Sequence, residues 1–176
     1  MKKIVLTFGL ISGAIVSAMF MITMPLYKNG TLSMDNGEII GYSTMVISLS
    51  LIFFGIKSYR DNHLSGVIKF GKAFQVGLLI AVIASLFYAI SWEFTFNFFM
   101  PDFMDQYADM CITKAKTGGA GPAEIQKVMD QINAMKEIYK NPFLRFGMTL
   151  MEIFPVGVLI ALISAGVLRK REVLPA

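Results

Sequence analysis

The chain has 176 residues, of which 55% are apolar and only 16% charged, with a formal net charge of +4. Soluble domains carry about a quarter of their residues as charges, so this balance excludes an ordinary soluble globule and points to a membrane. The lone cysteine, Cys111, and the lone histidine, His63, exclude an internal disulfide, a cysteine-built metal site and a zinc pair.

Crossing about 30 Å of hydrocarbon takes roughly 20 helical residues. Four runs meet that length: 4–27 ("IVLTFGLISGAIVSAMFMITMPLY"), about 39–56, about 73–99 and about 143–168. Each run is continuously apolar, whereas a membrane barrel needs many alternating ten-residue segments, so the spans are read as helices. The first run follows "MKK" and has the basic start of a cleaved signal. Its apolar length exceeds the roughly 7–15 residues of a signal core, and more apolar chain follows the small-residue site at "VSA", so it is expected to stay as a span.

Orientation follows from the bases beside each span. Lys2 and Lys3, the loop bases Lys57, Arg60, Lys69 and Lys72, and the tail bases Arg169, Lys170 and Arg171 fall on one side, with only Asp61 and Glu172 against them. The other side carries Lys28, Lys114, Lys116, Lys127, Lys136, Lys140 and Arg145 among a matching set of acids. The positive-inside rule then puts both termini in the cytoplasm. The basic residues cluster beside apolar runs instead of tracking along a surface, so nucleic acid is not an expected partner. The loop 57–72, with Leu64, Val67, Ile68 and Phe70 interleaved, favours an anionic lipid surface.

Between the third and fourth spans, 101–140 reads as an amphipathic helical hairpin outside the membrane. Phe103, Tyr107, Met110 and Cys111 share one helical face, with Pro101 before them and Asp102, Asp105 and Asp109 ahead of the lysines. "TGGAG" breaks that helix, and Pro122 with Glu124 restarts it. Ile125, Val128, Met129, Ile132, Met135 and Tyr139 then line one stripe before Asn141 and Pro142 end it. The two apolar faces can close on each other or lie in the headgroup layer, so the hairpin is either a structural cap or a surface for a partner.

Small residues recur every four positions: Gly9, Gly13 and Ser17 in the first span, Gly77, Ala81, Ser85 and Ala89 in the third, and Gly157, Ala161 and Ala165 in the fourth. Such rows let helix backbones approach closely in lipid, either inside one bundle or between copies. One more step of four beyond Ala89 reaches Glu93, about 8 Å below the outer end of the third span. In the fourth span Arg145, Thr149 and Glu152 lie on one face, with Glu152 about 13 Å deep and Pro155 able to kink the helix beside it. An intramembrane polar cluster of Glu93, Arg145 and Glu152 is therefore expected. It serves either as an ion pair that sets helix register or as a proton or cation site.

The strings "FFGIKSYRD" at 53–61, "FGKAFQVGLLIAVIASLFYAISWE" at 70–93, "PDFMDQYA" at 101–108, "EIYKNP" at 137–142 and "EIFPVG" at 152–157 carry a resemblance. In this order they resemble the domain of unknown function 4199 family, small bacterial inner-membrane proteins of four helices. The resemblance implies a membrane bundle and an envelope setting, with no activity, substrate or cofactor to carry over.

The expected fold is all-α, a single membrane domain over 1–176: a polytopic bundle of four transmembrane helices with an amphipathic helical hairpin between spans three and four. No glycine-rich phosphate loop, nucleophile elbow or metal-ligand spacing is present, so neither enzyme activity nor a cofactor or metal is expected. The expected role is a small envelope accessory protein in the bacterial inner membrane, working in the lipid bilayer on a membrane-protein partner or as a homo-oligomer. The alternative is a proton-coupled or ion-binding transporter subunit using Glu93 and Glu152.

Overall fold

Seven helices follow one another: α1 Lys2–Lys28, α2 Met34–Leu49, α3 Leu51–His63, α4 Phe70–Phe98, α5 Phe103–Thr117, α6 Pro122–Lys140 and α7 Pro142–Leu168. The computed structural model describes residues 1–28 and 34–170, so the tail residues Arg171 and Glu172 lie outside the described residues. Among the described residues there is no strand, only one isolated backbone bridge. Four stretches are long and apolar enough to cross a membrane: Lys2–Thr23, Ile39–His63 through α2 and α3, Phe70–Phe98 and Pro142–Leu168.

The second of these runs past its expected end near 56. α2 and α3 are nearly continuous at Ser50, where the amide still donates to the Val46 carbonyl (2.9 Å) while the hydroxyl turns back onto that of Ile47 (2.5 Å). Beyond the apolar run the helix persists because Tyr59 stays buried in the core and the polar residues bond among themselves. Asn62 Nδ2 donates to Ser58 Oγ (3.2 Å) and Arg60 Nε to Asp61 Oδ1 (2.7 Å). The chain then reverses through positive φ at Ser65 (49°) and Gly66 (82°), the second a conformation glycine adopts without a Cβ clash.

α4 is the central helix, packed lengthwise against both α1 and α7. α1 runs parallel to it: a Cβ on Gly9 would lie 2.7 Å from Ile83 Cβ, and one on Gly13 2.6 Å from Phe87 Cβ. α7 runs antiparallel: a Cβ on Gly77 would lie 2.9 Å from Ala161 Cβ, and one on Gly157 2.9 Å from Ala81 Cβ. These small-residue rows thus pack within the chain, and Ser85, Ala89 and Ala165 are buried along them. The hydroxyls of Ser17 and Ser85 are buried without a hydrogen-bond partner among the described residues. α1 and α2 are joined by a pair of serines absent from the expected rows. Ser12 Oγ donates to the Ser48 carbonyl (2.9 Å) and Ser48 Oγ to that of Ser12 (2.5 Å). Hydrogen bonds of this kind between membrane helices are worth roughly 0.6–2 kcal/mol.

Around these rows Leu49, Ile52, Ile56, Val76, Ile80 and Ile153 are fully buried. In lipid such residues gain little from leaving the solvent, because acyl chains are as apolar as leucine, so cohesion comes from dispersion at close range. Crowding a close-approach glycine should therefore cost more than losing an ordinary contact. Gly13→Val is expected to destabilise the bundle by about 1–3 kcal/mol through overpacking against Phe87. Gly166→Ala, whose Cβ would meet nothing within 4 Å, should be neutral or stabilising. Thermal unfolding of both variants in detergent checks the contrast, and equal effects would show that close approach does not hold α1 to α4.

Candidate functional site

The packed row of α4 and α7 leads to the site. From Ala81 opposite Gly157, each step moves four residues up α4 and four down α7, through the buried positions Ser85, Ala89, Ile153 and Thr149. Three such steps bring Glu93 opposite Arg145. There Arg145 Nε donates to Glu93 Oε1 (2.8 Å) and Nη2 to Oε2 (2.5 Å), a two-pronged contact across the helices. The arginine side chain is only 4% exposed and the glutamate 20%.

Arg145 has further partners. Its Nη1 donates to the Tyr139 carbonyl (2.7 Å), and its Cζ lies 4.0 Å from the centroid of the Phe96 ring. Tyr139 stands in the last turn of α6, where carbonyls lack an intrahelical donor and carry the negative end of the helix dipole. One guanidinium therefore neutralises a carboxylate on α4, caps α6 and faces an aromatic ring. A lysine, with a point charge and no planar fork, cannot do all three. The local sequence sets Arg145 there: Asn141 Oδ1 accepts from the Phe143 amide (2.9 Å), and Pro142 occupies the first turn of α7. Arg145 closes that first turn, its amide donating to the Asn141 carbonyl (3.0 Å).

Aromatic side chains cover the pair. The Phe96 ring lies 5.7 Å from that of Tyr139 and 6.5 Å from that of Phe103. Phe103 in turn meets Trp92 (5.0 Å) and Tyr139 (6.1 Å). The C-terminal end of α4, the start of α5 and the end of α6 so meet over Arg145. α5 and α6 pack on each other, with Met104, Ala108 and Ile132 buried and Lys136 Nζ paired to Asp105 Oδ1 (2.6 Å). Burial pushes the Tyr139 phenol up to about 12.

Glu152 does not join the pair. It is exposed and has neither a hydrogen bond nor an ion pair among the described residues. The reason is rotational. At about 100° per residue, each four-residue step turns the packed row by about 40°, so at Ile153 the row has turned about 80° from Arg145. Glu152, seven residues from Arg145, lies about 20° to the other side and so points about 100° away from the row. Pro155, also exposed, has no amide to donate to the Met151 carbonyl.

The other singled-out residues are dispersed. His63 stacks on Tyr59 at 5.4 Å, and Cys111 is a half-buried free thiol on α5. Among the described residues no three of His, Cys, Asp and Glu gather as metal ligands would. Sequence reasoning missed Phe96 and the Tyr139 carbonyl. Phe96 lies one turn beyond Glu93, and Tyr139 precedes the Asn-Pro corner, so both were visible as neighbours but not as partners.

Removing one member of the pair leaves the other charge uncompensated. Arg145→Leu is expected to cost about 3–5 kcal/mol, while the double variant Glu93→Leu with Arg145→Leu should cost less than either single one. Unfolding followed by the fluorescence of Trp92, the chain's single tryptophan, measures this cycle, and additive losses would rule out coupling. Alkali should act on the same junction. Because the folded Tyr139 phenol titrates at about 12, above its usual value near 10, its contribution is complete below pH 10 and is lost as the pH rises towards 12. Tyr139→Phe should flatten that loss, read as thermal stability between those pH values.

No curated protein and no solved structure matches the chain. The sequence model of the family described as "Protein of unknown function (DUF4199)" matches residues 7–170. That match takes in the helices that carry the ion pair, the aromatic cluster and the packed rows, nearly the whole chain, and the protein therefore belongs to the DUF4199 family.

Proposed function

We propose that this membrane protein is a non-enzymatic accessory component of the bacterial inner membrane. Both termini face the cytoplasm, and the α5–α6 hairpin, outside it, acts on another membrane protein or on a second copy of the chain. The observation that carries this reading is the attachment of α5 and α6. They form a unit outside the four apolar stretches, and that unit is bound to the bundle through Arg145 and the aromatic cluster. The buried arginine is fully engaged in holding three helices together, which suits a rigid scaffold presenting a surface. Ile125 and Val128 stay half-buried and Met129 is exposed on the stripe of α6, towards the turn and away from the cluster.

Purification of the chain in mild detergent should return one stoichiometric membrane-protein partner or a defined oligomer. That association should be lost in Val128→Asp with Met129→Asp while the thermal unfolding of the bundle is unchanged. Association that survives these substitutions would remove the hairpin stripe from the interface. Topology has a separate check in Cys111, the only thiol. A membrane-impermeant thiol reagent should label it from outside the cell, and labelling only from the cytoplasmic side overturns the orientation.

A second reading, a proton-coupled or ion-binding transporter subunit, is favoured by one feature. Glu152 is an acid in the outer half of α7 with no ion-pair partner among the described residues, and intramembrane acids without partners are candidates for function. This reading rests on Glu152 without Glu93, whose carboxylate is occupied by Arg145. pH-dependent ion flux in vesicles, abolished by Glu152→Gln, would favour it over the accessory role.

A further inference from the structure

The end of the bundle opposite the aromatic cluster gathers bases from separate parts of the chain. α4 begins there, and α3 and α7 end there. The connection after α3 is pinned to the tail by a backbone bridge: the Ile68 amide donates to the Lys170 carbonyl (3.2 Å) and the Lys170 amide to that of Ile68 (3.0 Å). Arg60 Nη1 adds a contact to the Leu168 carbonyl (3.4 Å). These bonds hold the segment that carries Lys69 against the tail residues Arg169 and Lys170, and Lys57 and Lys170 both lie within electrostatic reach of Asp61.

The charge there is largely uncompensated among the described residues. Among the described residues Asp61 is the only acid at this end, and it is already bound by Arg60 Nε. Lys57, Lys69, Arg169 and Lys170 are exposed and make no ion pair among the described residues. The groups also stand beside apolar surface. Phe70, the residue after Lys69, is exposed and stacks on Phe74 at 6.2 Å on the first turn of the apolar helix α4.

We propose that Lys57, Arg60, Lys69, Arg169 and Lys170 form one binding surface for the phosphate headgroup of an anionic phospholipid, with Phe70 against its acyl chains. Ammonium groups and a guanidinium held between the Asp61 carboxylate and the Leu168 carbonyl supply donors to phosphate oxygens. The adjoining ring suits an amphiphile, which a free anion is not. A lipid seated there bridges α3, α4 and α7 at the level where the backbone bridge already joins them.

Native mass spectrometry of the full-length chain in detergent, titrated with phosphatidylglycerol, with phosphatidylcholine and with inorganic phosphate, tests the assignment. Phosphatidylglycerol should be retained preferentially, and retention should weaken as salt screens the charges. A membrane-proximal base contributes roughly fivefold in affinity, so Lys57→Gln, Lys69→Gln and Lys170→Gln together should weaken phosphatidylglycerol binding on the order of a hundredfold. The paired control Lys116→Gln with Lys127→Gln, on α5 and α6, should leave it within about twofold, since those bases lie too far from the site to act on the headgroup. Lipid-free thermal unfolding of the triple variant should match the parent chain, which separates lost binding from lost fold. Equal retention of both lipids, equal loss in the control, or saturation by inorganic phosphate alone would overturn the proposal.

Discussion

Arg145 joins three helices through one guanidinium, and the half of the structure that carries α5 and α6 depends on that contact. Its two-pronged grip on Glu93 closes the α4–α7 row, its third bond caps α6, and its face lies on Phe96. Moving an ion pair out of water costs several kcal/mol per charge, which good geometry and additional hydrogen bonds can only offset. The pair is therefore better understood as a device for register than as a source of net stability. A slip of α7 along α4 by one four-residue step would leave both charges unpaired in an apolar setting.

The remainder of the bundle follows from a related constraint. Helices in lipid have no hydrophobic drive toward one another, so they need close backbone approach or hydrogen bonds. Here both devices operate on different faces. Gly9 and Gly13 bring α1 against α4, Gly77 and Gly157 bring α7 against it, and the Ser12–Ser48 pair joins α1 to α2. α4 carries a row for each of its two long partners, which is why it is the central helix.

The two ends of the bundle are built on different chemistry. At one, aromatic rings and an arginine bonded through all three of its nitrogens make a closed junction with α5 and α6. At the other, exposed lysines and Arg169 surround a backbone bridge and leave their charges unmatched among the described residues. The first arrangement holds parts of the same chain together. The second suits a negatively charged partner from outside it.

Composition, run length and turn residues determined a great deal by themselves: four apolar spans, two amphipathic helices with a glycine break, and an Asn-Pro corner, each dictated by local chemistry. The four-residue spacing of small residues, continued through Ala89 to Glu93, also placed the acid on the packing ridge, because periodicity along one helix is a property of one segment. What the tertiary structure alone decided was which rows face each other and how far they rotate. That rotation separated Glu152 from Arg145 despite their seven-residue spacing, since a row of four-residue steps drifts around the helix as it descends. The Tyr139 carbonyl, the Phe96 ring and the Ile68–Lys170 bridge depend likewise on contacts between segments distant in the chain, and no periodicity within a single helix encodes them.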